Sequence, residues 1–318
     1  MLNIISMENK ILGLHHITAI ASDAQRNYNF YTKVLGFRLV KKTVNFDDPG
    51  TYHFYYGDET GTPGSILTFF PWEGIQKGRA GTGMATEISY SVPKGSLDFW
   101  TKRFQENNVK YQPVIERFGE RYLPFEDRDG LLLNLVETGE SDNRKPWTIP
   151  GIGISEAAKG FHSTVLTVKN SAPTIKVVTD VLGYNLHSQE ANRYRFVTDA
   201  IASANIIDLV EEPNGHTGSN AGGTNHHIAF RVKDDSLLKE FREKVLKAGL
   251  QITEKIDRNY FYSMYFREPG GILFELATDN PGFAIDETVE ELGTHLMLPA
   301  QYERSRKKIE EILPVLQP

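Results

Sequence analysis

The sequence reads as an α+β protein of four βαβββ modules, arranged as two pseudo-symmetric halves and followed by a C-terminal helix. Two internal repeats and a recurring strand–helix–glycine pattern carry that reading. Internal repeats decide an architecture before local propensities do. Residues 13–40 (GLHHITAIASDAQRNYNFYTKVLGFRLV) align without a gap on residues 160–187 (GFHSTVLTVKNSAPTIKVVTDVLGYNLH), at an offset of 147. Gly13, His15, Val34, Leu35, Gly36 and Leu39 meet Gly160, His162, Val181, Leu182, Gly183 and Leu186. Each copy is a β-rich run, a helix-length stretch and a V-L-G-(F/Y) stop. Glycine there suits a helix C-cap, and the aromatic opens the next strand.

A second, gapped repeat divides each half again. Residues 86–92 (TEISYSV) match residues 226–232 (HHIAFRV), and each is followed by a Ser-Leu helix start, Ser96-Leu97 and Ser236-Leu237. Glu116-Arg117 matches Asp257-Arg258, and residues 127–135 (DRDGLLLNL) match residues 268–276 (EPGGILFEL), setting Asn134 opposite Glu275. The modules therefore start near residues 13, 84, 160 and 224. Each is expected to open with a strand at an exposed sheet edge. Turn signals such as Asp47-Asp48-Pro49-Gly50 and Pro269-Gly270-Gly271 bound the three strands after each helix. This organisation gives an N-terminal extension over 1–12, a first half over 13–140 with modules one and two, and a linker over 141–159. A second half over 160–280 holds modules three and four, and a tail over 281–318 carries a helix at 301–313 closed by Pro314.

Composition narrows the function. The chain is 40% hydrophobic and 24% charged, as folded globular proteins are. Its net charge of -6, with no Lys/Arg block, argues against a nucleic-acid partner. No apolar run reaches the roughly 20 residues needed to cross a bilayer, and residues 1–10 lack a signal-peptide pattern, so a cytoplasmic location and no membrane partner are expected. There is no cysteine, so any metal must be held by His, Asp or Glu.

The repeats point to such a metal. His16 has Ser163 opposite it, His227 has Glu87, and Glu275 has Asn134. One set ligates and the other does not, which two pseudo-equivalent cavities would display if one metal were kept. Modules one and four then share the metal cavity, and modules two and three share an empty one. Strand alternation sends neighbours to opposite faces. Ile228, Phe230 and Val232 make an apolar face, so His227 rather than His226 points into the concave side, and His16 is chosen over His15 by the same register. A lone buried histidine is ordinarily a satisfied core residue. Here two His-His doublets open equivalent strands, and Glu275 sits in an apolar run where a carboxylate is costly without a partner. Two histidines and a carboxylate on one face of an ion suit non-haem Fe(II), and Mn(II) fits the same set. His53, His162, His187, His216 and His295 are read as structural or surface residues.

LHHITAIA, VLGFRLVKKT, YHFYYGDETGTPGSILTFFP, NHHIAF, PGGILFELATD and the tail LPAQYE resemble the vicinal oxygen chelate superfamily (glyoxalase, bleomycin resistance, extradiol dioxygenase), and more narrowly its ring-cleaving hydroquinone dioxygenases. The resemblance covers nearly the whole chain. It implies halves built as open β-barrels and Fe(II) on His16, His227 and Glu275. His15, Thr18, His226, Arg258 and Tyr265 take the surrounding functional positions. The implied substrates are a small aromatic diol and O2, in aromatic catabolism or quinone detoxification. His226 is the expected acid/base, because an unperturbed imidazole titrates near neutrality. Tyr265 donates a hydrogen bond to bound oxygen, and Arg258 stabilises developing negative charge. The plain alternatives are a salt bridge of Arg258 with Asp257 or Glu254 and a half-buried strand aromatic at Tyr265.

Two other functions fit the fold. A glyoxalase-type lyase or isomerase would carry Ni(II) or Zn(II) on four protein ligands. Aligning PGSILTFF on PGGILFEL puts Phe69 at the place of Glu275 in module one, and phenylalanine cannot ligate. A metal-free quinone- or drug-binding protein has no need of the His-His-Glu set. A homodimer is compatible with paired modules.

Overall fold

The structure, a computed structural model, describes residues 10–139 and 142–317. Residues 1–9 of the N-terminal extension and the junction at 140–141 lie outside the described residues.

Module one runs β1 (Leu14–Ala21), α1 (Ala24–Asn29), β2 (Arg38–Asn45), β3 (Asp48–Gly57) and β4 (Ile66–Pro71). Module two runs β5 (Met84–Pro93), α2 (Leu97–Glu106), β6 (Ile115–Arg117), β7 (Glu120–Glu126) and β8 (Leu132–Thr138). Module three runs β9 (Phe161–Val168), α3 (Ser171–Lys176), β10 (Asn185–Glu190), β11 (Arg193–Val197) and β12 (Ile206–Glu211). Module four runs β13 (Thr224–Val232), α4 (Asp235–Lys247), β14 (Ile256–Asp257), β15 (Phe261–Arg267) and β16 (Leu273–Pro281).

Local chemistry sets these limits. Asp23, Asn170 and Asp234 stand before α1, α3 and α4, and each accepts backbone N–H groups of the first turn, which satisfies donors a helix start leaves free. The two V-L-G stops behave alike. α1 and α3 each continue as a π-turn through Val34 and Val181. Gly36 and Gly183 then adopt φ of 75° and 77°, a conformation other residues resist.

Two curled eight-stranded sheets result. One has the order β14-β15-β16-β13-β1-β4-β3-β2, the other β10-β11-β12-β9-β5-β8-β7-β6. Modules one and four thus build one half-barrel, and modules two and three build the other, as the contrast between repeat copies requires. The opening strands are not at exposed edges. β1 and β13 pair at the centre of the first sheet, and β5 and β9 at the centre of the second. Every residue of β1 and of β9 is buried. One face lies against helices and the main core, and the other lines the concave side, so polar residues there are enclosed on both sides.

The C-terminal segment treats the halves unequally. Phe283 and Leu292 pack with Val40, Tyr55, Tyr260 and Phe261 in a separate cluster at the first sheet. Fully buried Lys41 reaches Asp286 at 2.6 Å and also pairs with Glu287. The terminal α5 spans Arg306–Ile312, shorter than expected, because Glu303–Ser305 forms a 3-10 turn ahead of it. No described helix is long and apolar enough to cross a membrane.

Candidate metal centre

The central strands of the first sheet bring three buried side chains together. His16 on β1 and His227 on β13 place Nε2 at 3.2 Å and 2.8 Å from Glu275 Oε2 on β16. One ligating atom from each residue lies within 4.8 Å of the others. The second histidine of each doublet is the one that faces Glu275, and the β1–β13 register shifts at the first, at His15 and at His226.

Hydrogen bonds fix which nitrogen each ring offers. The Thr278 carbonyl can only accept, so His15 Nε2–H donates to it at 3.1 Å. His15 Nδ1 is then a bare acceptor and takes the His16 Nδ1–H at 2.9 Å. His16 Nε2 is left with a lone pair facing Glu275. The His226–His227 doublet repeats the Nδ1-to-Nδ1 contact at 2.8 Å, and with a ligating lone pair on His227 Nε2 its Nδ1–H donates to His226. Such a partner on the far nitrogen orients a metal-binding imidazole and raises its basicity.

Glu275 is fully buried. Ser263 donates to its Oε1, whereas Oε2 has no aligned donor among the described residues. Burial holds His15 and His227 below the ordinary imidazole value. An orphaned carboxylate oxygen faced by imidazole lone pairs is repulsive without a cation. Separations near 3 Å match atoms at right angles around one ion at about 2.1 Å. The donor set fits a divalent metal.

Beside these atoms opens a cavity of about 430 Å³. Phe46, Phe70, Trp72, Phe261 and Leu273 give it apolar walls, and Thr18, His53, His226, Arg258 and Tyr265 are among its polar lining. Arg258 Nε lies 3.3 Å from the Tyr265 hydroxyl, and Nη1 lies 3.5 Å from Asp47. It pairs with neither Asp257 nor Glu254, which instead binds Arg242. The Tyr265 ring stands edge-on to His227, and burial raises its phenol first, with Glu275 adding to this. Burial, then His227, push His226 down to about 4, the direction that favours the neutral ring.

Reading the sequence missed His53, Ser263 and Trp72. His53 was set aside as structural, yet it faces the cavity, and alternation from the inward Tyr55 would have found it. Ser263 lies two residues before Tyr265, on the same face of β15.

The alignment of Phe69 with Glu275 slips by one residue. In the parallel pairs, Thr18 lies opposite Thr68 and Ala229 opposite Glu275, so the counterpart of Glu275 in module one is Thr68. A one-residue slip changes face. Phe69 packs against Tyr31 and Tyr56 in the core. No fourth ligand arises, because the Thr68 hydroxyl is engaged by Thr18 at 2.9 Å.

The profile of the glyoxalase/bleomycin resistance protein/dioxygenase superfamily matches residues 13–135 and 160–276. The chain belongs to that superfamily. It is 47% identical to a protein of Bacillus subtilis (strain 168) provisionally named ring-cleaving dioxygenase MhqO, over 97% of this chain and 98% of the relative. It is 32% identical to a chlorohydroquinone/hydroquinone 1,2-dioxygenase of Sphingobium indicum, over 93% and 94%. A crystal structure provisionally titled dioxygenase, also from Bacillus subtilis, superposes with a TM-score of 0.93 at 45% identity, covering 97% of this chain and 98% of that one. Glyoxalase I from Zea mays shares the superfamily fold, with a TM-score of 0.65 at 15% identity over 89% and 97%.

Proposed function

We propose that the protein is a ring-cleaving dioxygenase that opens hydroquinone-type diols with O2, using Fe(II) on His16, His227 and Glu275. The observation that carries this reading is a buried site of only three protein ligands, with an orphaned carboxylate oxygen, opening on an aromatic-walled cavity. The names of the relatives agree with it. His16, His227 and Glu275 would hold a redox-active ion, which when bound would supply acidification of a ring hydroxyl and an electron path from ring to O2.

The chain's own residues supply the rest. Phe70, Trp72 and Phe261 bind the ring and exclude water. Arg258 holds the Tyr265 oxygen as acceptor, leaving the phenol proton for an oxygen in the cavity. The guanidinium, charged at any working pH, stabilises negative charge there. His227 uses Nε2 as ligand and donates from Nδ1 to His226, so His226 keeps its proton on Nε2 as a further donor. A lyase with four protein ligands is disfavoured by Thr68, and a metal-free binder by Glu275. Mn(II) suits the same ligands.

Protein purified without oxygen and loaded with Fe(II) is expected to consume O2 with methylhydroquinone, and less or none with catechol or a hemithioacetal. Failure to consume O2 with every aromatic diol tried overturns the reading.

A further inference from the structure

We propose that His53, with Tyr55 and Thr68, is a positioning residue that fixes the Thr18 hydroxyl as a hydrogen-bond donor to a substrate oxygen in the metal cavity. The substrate part rests on the ring-cleavage reading. The hydrogen-bond polarity stands on geometry alone.

Four side chains of module one form a single file. The Tyr55 hydroxyl lies 3.0 Å from His53 Nδ1, His53 Nε2 lies 2.9 Å from Thr68 Oγ1, and Thr68 Oγ1 lies 2.9 Å from Thr18 Oγ1. Thr18, Tyr55 and Thr68 are buried. A neutral imidazole has one N–H and one lone pair, and the Thr68 hydroxyl has no partner besides His53 and Thr18 among the described residues, so its proton stays within the file and the file can run in only two directions. In one, Tyr55 donates to His53, His53 to Thr68 and Thr68 to Thr18, and the Thr18 proton is free. In the other, every bond reverses, and the Tyr55 proton is free.

Two observations select the first direction. A phenol is the strongest donor in the file and an imidazole lone pair the strongest acceptor, so their direct pairing is the best bond available. The Tyr55 hydroxyl also has no hydrogen-bond partner besides His53 among the described residues, so in the second direction its proton would have no protein acceptor.

Thr18 sits where that free proton is useful. It pairs in register with His227, lies two residues beyond His16 and lines the cavity. A ring oxygen that has lost its proton beside those histidines needs a donor, not another lone pair. Tyr55 opposes Thr68 as Tyr265 opposes Glu275. The two phenols are pseudo-equivalent, with Tyr265 free to act directly and Tyr55 acting through the file. Module three cannot build the file, because Asp208 and Val165 stand where Thr68 and Thr18 do.

The test uses full-length, metal-free protein labelled with ¹⁵N-histidine. Long-range ¹H–¹⁵N correlation is expected to show the His53 proton on Nε2, with the resonance assigned by its loss in His53→Gln. Tyr55→Phe is expected to convert it to a tautomer mixture. A proton on Nδ1 in the parent protein overturns the proposal. In the metal-loaded enzyme, Tyr55→Phe and Thr68→Val are each expected to lower kcat by about tenfold, the scale of one hydrogen bond to a charged oxygen. KM for the diol should stay within about twofold, the double variant should lose no more than either single one, and Thr68→Ser should restore the rate. An unchanged kcat after the tautomer is lost, or additive losses, overturns the catalytic part. If the parent enzyme consumes no O2 with any diol, the function reading has failed, and the His53 spectrum still decides the polarity.

Discussion

The same four positions of the module hold opposite chemistry in the two half-barrels. In the first sheet, the concave face carries His16, His227, Glu275 and Thr68. At the matching register, the second carries Ser163, Glu87, Asn134 and Asp208. The second set is closed by arginines. Arg117 reaches Glu87 at 2.7 Å, Arg193 reaches it at 3.4 Å, and Arg195 grips Asp208 at 2.8 and 3.0 Å. Asn134 also donates to Glu87 at 3.0 Å. Acidic groups in one half are neutralised by the chain's own guanidiniums, while the other half leaves Glu275 Oε2 for an ion from outside. A fold of this kind keeps a site open by declining to satisfy it, and the cost falls on the metal-free state.

Glu275→Gln breaks that contrast most sharply. It is expected to weaken metal affinity by more than about 100-fold, beyond the 10–100-fold that loss of a partner behind a ligand costs. The same change is expected to stabilise the metal-free protein by about 1–3 kcal/mol, since an unsatisfied buried carboxylate is removed. Metal titration and denaturant unfolding of the metal-free protein measure the two effects. Glu87→Gln in the second half should leave metal affinity unchanged.

Arg195→Leu is the reciprocal test. It leaves Asp208, which is 1% exposed, with only the longer contact to Arg193 at 3.6 Å, and removes a partner of Glu120. Removing one member of a buried ion pair costs about 3–5 kcal/mol, so a loss of that size is expected by denaturant unfolding, with metal affinity intact. An undisturbed stability would mean that the guanidiniums do not hold the second half-barrel.

His15 and His162 compare the halves at one residue type. Both rings hand Nδ1 to the next residue, His16 in one case and the Ser163 hydroxyl in the other. His15→Phe is expected to lower metal affinity about 10–100-fold, whereas His162→Phe should leave it untouched. Equal effects of the two variants on metal titration would refute the division of roles.

Much of this division was legible from the chain. The ungapped repeat located modules one and three, the gapped one located modules two and four, and the mismatches Ser163, Glu87 and Asn134 singled out the candidate ligands, because homologous strands with different residues expose what one copy has kept. Alternation pointed to His16 and His227, the two histidines that face Glu275, although the register of β1 on β13 shifts at His15 and at His226. What failed was long-range. Phe69 was paired with Glu275 because turns of equal length hide a one-residue shift in strand pairing. The opening strands were placed at sheet edges because joining module one to module four cannot be read from neighbours in sequence. His53 was passed over because its partners Thr68 and Tyr55 belong to strands whose facing was not assigned.

Glu120 offers the mildest test and the one that isolates charge. Burial alone would raise its carboxyl, but hydrogen bonds and charge from His162, then Arg195, bring it down to about 2. Its unfolded value is near 4.3. A folded pKa below the unfolded one contributes stability that is complete above the unfolded value and is lost as pH falls toward the folded one. Unfolding of the metal-free protein should therefore show Glu120→Gln less stable than the parent at pH 7, with the gap narrowing between about pH 5 and pH 2. Working without metal leaves Glu275 titrating alike in both proteins, so it cancels from the difference. A gap that stays constant with pH would show that Glu120 acts through packing and not through the ion pairs that close the second half-barrel.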